Sequence, residues 1–438
     1  MRVLMIAPEP FFAYRGTPLS ILQRLWALST LGHSVDLLCY HIGTDIEMPG
    51  VTIHRLPRIP FIKSVKIGFS GVKILLDVLL ILKAITMLAV HRYDLIHTHE
   101  EAAYFSIPLA RLFGARHLYD MHSSLPRQLA RSPLWRSLPF KKLAVMVEHR
   151  VIRASDAIIS IGGDLEEYVH QVSPKGAHRR IENLAIQTEC PPDPGLVVEL
   201  KAEWGLDSRF SVVYTGNLEQ HQGMDLLLQS AAIVRHEYPK VLFLIIGGTP
   251  AQVEHWQAVA RQHNVVDSVS FVGTVPPMQA LAYLEAGDVL VSPRVAGTSI
   301  PLKIYSYLHS GKPIIATDVP AHTELLNDDI SLLVAPTAKA FADGISQLAT
   351  DAELRQRLGS QAQAYVKGRF EFADYRAKLA EIYWLALAAK SRVPDTLEEL
   401  ARDITAEPPI VWEVHPFRRS ALPTQKRERI SMDASRTR

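Results

Sequence analysis

The chain contains few of the residues that cross-link a protein or adapt it to an unusual environment. Only two of its 438 residues are cysteines, Cys39 and Cys190, so neither a disulfide framework nor a cysteine metal site is predicted. The formal net charge is +2, which excludes the strongly basic surface that a nucleic-acid partner requires. The apolar start Met1–Ala7 is too short for the core of a signal peptide. We therefore expect a globular, cytoplasmic protein.

One long apolar run, Gly71–Val90, is interrupted by Lys73, Asp77 and Lys83. Because each charge at the centre of a membrane costs roughly 2.5–3.5 kcal/mol, a spanning helix is not expected. Two alternatives stay open. The run is either a buried crossover helix or a helix that lies peripherally on an anionic membrane surface, next to the basic residues that precede it, namely Arg55, Arg58, Lys63 and Lys66.

Strand and helix patterns alternate along the chain and predict doubly wound parallel sheets. The proline-rich stretch Pro191–Gly195 reads as a linker between two such series. We predict strands at Val3–Ala7, Ser34–Cys39, Leu95–His97, His117–Tyr119, Ala157–Ser160, Ser211–Tyr214, Val241–Ile246, Val269–Val272, Val289–Ser292 and Ile314–Ala316. We predict helices at Pro18–Leu31, Phe140–Ala154, Asp225–Arg235, Pro250–His263, Met278–Ala286, Leu302–His309, Ala338–Ala349 and Tyr375–Ala389.

The most informative segment, Val291–Thr317, reads as a strand, a glycine-rich turn, a helix and a second strand. The turn Gly297–Ser299 offers backbone N–H groups and small hydroxyls, and Lys303 follows inside the first helical turn. Because a helix N-terminus carries unpaired N–H groups and partial positive charge, a phosphate site is one interpretation. The alternative is an ordinary βαβ unit with Lys303 on a solvated face.

This segment resembles the donor-binding region of retaining glycosyltransferases of family four, in which a helix ends in Gly-x-Pro before a Val/Ile strand. Gly311-Lys-Pro313 and the strand after it match that pattern. The resemblance extends to about Ala389. It implies an α/β GT-B fold, with two Rossmann-like domains facing across a cleft, and transfer of a sugar from a nucleotide sugar to an acceptor hydroxyl with retention. It implies no cofactor and no metal, and the sequence contains no Asp-x-Asp motif.

The resemblance also implies a division of the chain into domains and a set of partners. We expect an acceptor-side domain at 1–190, a nucleotide-sugar domain at 196–368, a helix at 369–390 that returns to the first domain, and a flexible basic tail at 394–438. From the resemblance, the expected partners are a nucleotide sugar and an acceptor. The apolar run Gly71–Val90 behind its basic stretch and the basic residues after Phe417 predict an anionic membrane surface at the inner face of the plasma membrane, and with it a glycan or lipid-linked acceptor of the cell envelope. Nucleic acid is not expected.

At the donor site the chain departs from the family pattern. Asn217 and Gln222 stand where family members usually have Arg and Lys on the diphosphate, and Ser306 stands at the second of two family Glu positions. We interpret Lys303 and Arg294 as the substitutes for the missing cations. The predicted donor-binding residues are Gly16, Thr17, Gly216, Asn217, Gln222, Arg294, Gly297, Thr298, Ser299, Lys303 and Ser306.

In the first domain, the segment His97–Glu101 holds two histidines and two glutamates, which are either a metal site or, as we favour, a polar strand end lining the cleft. The resemblance places a histidine turn against the donor sugar, which assigns His122 to that role and Asp120 to orienting it. The alternative is a His122 that caps its loop. Loss of the family Arg, Lys and Glu residues fits one further alternative, a non-catalytic GT-B partner protein that binds nucleotide sugars. A nucleotide-sugar epimerase of the same fold is another alternative, which the missing Glu pair disfavours because that chemistry needs acid–base carboxylates.

Overall fold

A computed structural model describes residues 1–12, 16–62, 65, 71–126, 138–185, 191–297 and 300–388 of the chain. The predicted tail 394–438 lies outside this described part, as do two of the predicted site residues, Thr298 and Ser299. Within the described part, the strands form two separate sheets, and every strand pair in both sheets is parallel. The predicted α/β fold with two parallel-sheet domains is confirmed.

The first sheet has the strand order β3-β2-β1-β4-β5-β6-β7. Alternate residues of its central strands enter different cores: Val3 and Met5 face one layer of helices, while Leu4 and Ile6 face the other. Its strands are β1 (Arg2–Ala7), β2 (Ser34–Cys39), β3 (Val51–Arg55), β4 (Leu95–His99), β5 (Arg116–Met121), β6 (Ala157–Ser160) and β7 (Ala177–Arg180). The helices described between them are α1 (Gly16–Thr30), α2 (Gly71–Val90), α3 (Ala102–Phe113), α4 (Leu138–Ala154) and α5 (Gly163–Val172).

The second sheet has the strand order β10-β9-β8-β11-β12-β13. Its strands are β8 (Phe210–Thr215), β9 (Val241–Ile246), β10 (Val269–Gly273), β11 (Val289–Ser292), β12 (Ile314–Thr317) and β13 (Leu332–Val334). The helices around it are α6 (Pro194–Trp204), α7 (Met224–Glu237), α8 (Pro250–Gln262), α9 (Pro277–Ala286), α10 (Leu302–Ser310), α11 (Pro320–Thr323), α12 (Ala338–Thr350) and α13 (Ala352–Val366). In both sheets the order reverses beside the first strand, and ligands of such folds bind outside the carboxyl ends of the strands at this point.

The ten predicted strands are all present, and the structure adds three that the sequence pattern did not predict. These are β3, β7 and β13, which are short, only partly buried and lie at sheet edges. The predicted linker Pro191–Gly195 is partly wrong, because α6 already begins at Pro194. The Asp193 side chain accepts a hydrogen bond from the backbone N–H of Gly195 at 2.9 Å and so caps this helix.

The last described helix, α14 (Phe372–Ala388), lies on the first sheet beside α1. Its buried residues Leu379 and Ile382 belong to the same apolar core as β1 and β2. At its start, the rings of Phe372 and Trp26 are stacked with centroids 3.5 Å apart. The chain therefore comes back to its first domain after completing the second sheet, while the predicted domain limits stay predictions.

A buried ion pair joins these layers. Arg24 of α1 is fully buried, and its Nε donates to Oδ2 of Asp120 on β5 at 2.8 Å. The other guanidinium nitrogens donate to the hydroxyl of Tyr375 on α14 and to the carbonyl of Ile181 after β7. One arginine thus connects two neighbouring helices to each other and to the sheet on which both lie.

We expect Arg24→Met to lower the free energy of unfolding by roughly 3–5 kcal/mol, because it leaves the Asp120 carboxylate buried and uncompensated. Urea unfolding followed by circular dichroism measures the change. The matched control is Arg179→Met, which removes an exposed pair with Glu381 and should cost less than about 1 kcal/mol. Equal losses in the two variants would contradict a special role for the buried pair.

Candidate active site

Loops at the carboxyl ends of the two sheets contact each other. Glu324, which follows β12, accepts a hydrogen bond from the backbone N–H of Gly163, which follows β6. The segment that begins at His122 follows β5, the neighbour of β6, and Lys303 follows β11, the neighbour of β12. The two groups of predicted site residues therefore lie at the carboxyl edges that meet between the sheets.

The first group is a buried cluster of three histidines around Asp120. His97 Nε2 lies 3.3 Å from Oδ2 of Asp120, and His122 Nε2 lies 3.4 Å from Oδ1. His99 bridges the cluster, with Nδ1 at 3.1 Å from His122 Nε2. On the far side, Nδ1 of His97 is 2.6 Å from the hydroxyl of Tyr383 on α14. The structure thus brings together His122 and Asp120, the two residues predicted for the sugar side of the site.

Burial sets the charge of this cluster. It lowers the pKa of His122 to about 4, so its imidazole is neutral at neutral pH. Burial raises the pKa of Asp120, but the Arg24 guanidinium and the surrounding histidines together outweigh that effect and hold the pKa well below its usual range. The cluster therefore combines a permanently ionised carboxylate, compensated by Arg24, with a neutral imidazole that can both donate and accept a hydrogen bond.

The same cluster offers a set of metal ligands, since one ligand atom each of His97, His99 and Asp120 lies within 4.8 Å of the others. The Asp120 oxygen in this group already accepts from Arg24, and His97 is hydrogen-bonded to Tyr383. A guanidinium at 2.8 Å from the carboxylate also repels a second cation. The geometry fits the predicted polar strand end better than a metal centre.

The two glutamates after β4 have other partners. Glu101 pairs with Lys73 of α2 at 2.5 Å, and Glu100 accepts a hydrogen bond from the hydroxyl of Ser123 at 2.8 Å. The first of these contacts ties the end of β4 to α2, and the second ties it to the loop that carries His122. These two carboxylates therefore hold the segments around the cluster in place.

The second group of predicted residues surrounds the side chain of Lys303. Its Nζ lies 3.7 Å from the centroid of the Tyr214 ring, an aromatic face that attracts a cation. Among the described residues no hydrogen-bond partner reaches this buried nitrogen. Burial, and next to it the charge of Arg294, lower the pKa of Lys303 well below 10.5. An anion that binds beside this nitrogen would favour its charged form, so the site is suited to an anionic ligand.

The backbone of Gly216 closes over the same ammonium. Gly216 has φ +139°, and a Cβ at this position would lie 3.4 Å from Nζ of Lys303. Only glycine adopts this backbone conformation without strain, and its bare backbone leaves room for a ligand beside the lysine. Gly297, with φ +121°, lies against the guanidinium of Arg294, whose Nε donates to the carbonyl of Ala296 at 2.7 Å. Gly216 thus lies against Lys303 and Gly297 against Arg294, and the charge of Arg294 acts on Lys303.

Asn217 and Gln222 are held inside their own loop. The Asn217 side-chain oxygen accepts from the backbone N–H of Glu219 at 3.3 Å, and the Tyr214 hydroxyl donates to the Asn217 carbonyl at 2.7 Å. Gln222 is buried, with Nε2 3.1 Å from Nε2 of His221. These contacts shape the turn over Tyr214, and the role of both residues in donor binding stays a prediction.

The remaining predicted residues lie at helix starts or on α10. Gly16 is exposed in the first turn of α1, next to Thr17, and Ser306 lies partly buried one turn beyond Lys303. His322 is buried, with Nε2 2.8 Å from the Ser292 hydroxyl, so it joins α11 to β11.

Sequence reasoning missed Tyr214, Arg24 and Glu324. Tyr214 is the last residue of the predicted strand Ser211–Tyr214, and a tyrosine at the end of an apolar strand does not by itself indicate a site. The sequence does indicate that Arg24 is buried, because it stands on the same helix face as the apolar residues Ile21, Leu25 and Leu28.

The sequence matches two family models, one in the part of the chain that forms the first sheet and one in the part that forms the second. Residues 21–183 match a glycosyl transferase 4-like domain, and residues 209–351 match the glycosyl transferases group 1. The chain belongs to family four of the glycosyltransferases. This family-four chain is 22% identical to the phosphatidyl-myo-inositol mannosyltransferase of Mycobacterium leprae, over 90% of this chain and 99% of that one. It is also 22% identical to the alpha-D-kanosaminyltransferase of Streptomyces kanamyceticus, over 66% of this chain and 76% of that one.

Solved structures confirm the predicted fold of this glycosyltransferase. Sucrose-phosphate synthase from Thermosynechococcus elongatus aligns with a TM-score of 0.74 at 20% identity, over 89% of this chain and 100% of that chain. HepE of Anabaena, in complex with UDP and glucose, aligns with a TM-score of 0.67 at 18% identity, over 87% of this chain and 98% of that chain.

The neutral state of His122 makes stability depend on pH. Its pKa is about 4 in the folded chain, against the ordinary histidine value of 6.5 in the unfolded chain, so the unfolded chain takes up the proton first as the pH falls. The contribution is complete above pH 6.5 and is lost as the pH falls through the folded value, amounting to roughly 3 kcal/mol. Urea unfolding at about pH 7 and at about pH 5 gives the loss of unfolding free energy between these two pH values. That loss should be smaller in His122→Gln than in the wild type, because glutamine does not titrate. The same pH dependence in both proteins would show that His122 does not carry this effect.

Proposed function

We propose that this enzyme transfers a sugar from a nucleoside-diphosphate donor to an acceptor hydroxyl with retention, for cell-envelope or lipid-linked glycan synthesis. The observation that carries the proposal is the buried ammonium of Lys303, which has no hydrogen-bond partner among the described residues and lies at the start of α10. HepE, which was solved with UDP and glucose, supports a donor of this kind. The Mycobacterium leprae relative is a mannosyltransferase of phosphatidyl-myo-inositol, and that lipid supports a lipid-linked acceptor.

In this proposal the second domain stabilises the leaving group. Departure of a nucleoside diphosphate leaves negative charge on the phosphates, which the ammonium of Lys303 and the unpaired N–H groups at the start of α10 offset. The aromatic ring of Tyr214 keeps the ammonium in position before the donor arrives. The preorganised charge lies inside the protein, and therefore the reaction as proposed requires no metal and no cofactor.

The first domain contributes the neutral imidazole of His122, which we assign to the donor sugar. Asp120 orients the ring, and Arg24 and Tyr383 fix the cluster from behind. His122 is therefore expected to affect turnover more than nucleotide affinity. Gly16 and Thr17, at the start of α1, complete the proposed donor site from the acceptor side.

Lys303→Met should weaken binding of the donor's nucleoside diphosphate by roughly 2–4 kcal/mol, because it removes the ammonium and keeps the length of the side chain. Calorimetric titration with UDP, GDP and ADP measures this loss. Lys312→Met is the matched control, since Lys312 lies just after the same helix and pairs with Glu285 at 3.7 Å. Unchanged affinity in Lys303→Met would remove this residue from the site.

A panel of nucleotide sugars separates the proposal from its alternatives. Release of a nucleoside diphosphate together with glycosylation of an acceptor shows transfer, whereas binding without turnover supports the non-catalytic partner protein. Conversion of the donor sugar to its epimer supports the epimerase.

We also propose that α2 holds the enzyme against the inner face of the plasma membrane. Among the described residues, no helix is long and apolar enough to cross a bilayer. The inner face of α2 packs in the first domain through Leu76, Leu80, Ala84, Met87 and Leu88. Two of the charges that interrupt the run also point inward, since Lys73 pairs with Glu101 and Asp77 accepts from the Tyr40 hydroxyl at 2.5 Å.

The opposite face of α2 is apolar and exposed. It carries Val72, Ile74, Leu75, Val78, Leu82, Ile85 and Val90, with Lys83 as the exposed charge of this helix. Adjoining segments carry three exposed basic residues: Arg58 in the segment before α2, Arg92 directly after it, and Arg111 on α3, which packs against α2. Arg55 of the predicted basic stretch does not contribute, because its guanidinium binds Asp45 and backbone carbonyls, and Lys63 and Lys66 lie outside the described residues. An apolar helix face with basic neighbours fits the interface of an anionic membrane.

The double variant Leu75→Ser/Leu82→Ser should lose more than about tenfold in vesicle affinity, since two leucine side chains no longer enter the interface. Flotation with anionic and neutral liposomes at low salt measures binding. Val198→Ser, an exposed valine on α6 of the second domain, is the control and should float as the wild type does. A wild type that fails to float with anionic liposomes contradicts the membrane proposal and leaves the transferase proposal intact.

A further inference from the structure

A second group of metal-ligating side chains lies at the outer edge of the first sheet. Glu166 and His170 stand four residues apart on α5 and therefore share one helix face. His178 lies on the edge strand β7, which packs against that helix. One ligand atom of each residue lies within 4.8 Å of the other two, and the imidazole rings are 5.0 Å apart.

We infer that Glu166, His170 and His178 form a three-ligand site for a zinc-class divalent cation. Two imidazoles and a carboxylate are a ligand set that zinc accepts, with water in the fourth tetrahedral position. Imidazole ligands also favour nickel and copper, whereas magnesium and calcium prefer oxygen ligands alone. The site is independent of the proposed sugar transfer, because none of its residues belongs to the two groups described above.

His178 is prepared for this role by its surroundings. Its Nε2 lies 2.9 Å from the hydroxyl of Ser160 on the neighbouring strand. In the tautomer that donates to this hydroxyl, Nδ1 keeps its lone pair for a metal, and such outer hydrogen bonds orient ligating histidines.

Arg180, whose guanidinium pairs with Glu166, has a second carboxylate partner. Nη1 of Arg180 lies 3.3 Å from Glu166, and Nη2 lies 3.2 Å from Glu182. Exposed ion pairs of this kind are weak, so a metal can take over Glu166 while Arg180 stays with Glu182. A bound ion would join α5 to the edge strand that the helix covers.

Calorimetric titration of the tag-free full chain with Zn²⁺ at neutral pH tests the inference. We expect one equivalent to bind, and we expect His178→Ala, His170→Ala and Glu166→Gln each to weaken binding at least roughly tenfold. Visible absorption of the Co²⁺ form should show tetrahedral coordination in the wild type alone. Zinc should also raise the thermal midpoint of the wild type by mass action and should not raise that of the variants.

His263→Ala is the matched control, because His263 is a surface histidine with a single carboxylate neighbour, Asp225 at 3.7 Å. This control should bind zinc as the wild type does. Far-UV circular dichroism verifies that each variant is folded. Absence of zinc binding, or equal binding in the three ligand variants, overturns the inference. Zinc binding that survives those changes but is lost in His99→Ala also overturns it, because it places the ion in the buried cluster.

Discussion

The ion pair between Arg24 and Asp120 is the contact on which the first domain depends. Two charges removed from water cost more than their attraction alone returns, unless further hydrogen bonds satisfy the remaining donors and acceptors. Here the guanidinium reaches α14 and the segment after β7, while the carboxylate reaches two histidines. The pair therefore adds little net stability over apolar packing, but it permits only one register of α1, the sheet and α14. The position of His122, which directly follows β5, is fixed by the same contacts.

The two halves of the proposed site use burial in opposite ways. Around His122, burial keeps the imidazole uncharged and lets it exchange hydrogen bonds with a sugar hydroxyl. Around Lys303, burial makes the positive charge expensive until an anion arrives. The ammonium is stabilised beforehand by the Tyr214 ring, whose quadrupole contributes without consuming a hydrogen-bond donor. Among the described residues, no acceptor uses the N–H donors of Lys303, so they stay available for a ligand.

The sequence predicted those parts of the fold in which a strand is buried on both faces. β1, β9 and β11 are continuous apolar runs, and their limits followed from the flanking turns. β7 reads Ala-His-Arg-Arg and was missed, because an edge strand needs no apolar run. At the site, Lys303 could be found from its place in the first helical turn. Arg24 could not be paired in advance, because its partner lies 96 residues away and only the fold brings the two together.

In the contact between Glu324 and Gly163, a side chain of the second domain caps the start of α5 in the first domain. Gly162 precedes α5 and has no side chain with which to cap it, so a carboxylate from the other domain accepts from the first turn instead. A Cβ on Gly162 would lie 3.1 Å from that carboxylate, which leaves space for little else. Separation of the domains would return the N–H of Gly163 to water and cost the helix a cap worth about 1 kcal/mol. The fraying of one helical turn is in this way coupled to the opening of the whole cleft, and the exchange rate of the Gly163 amide hydrogen reports how often the domains separate.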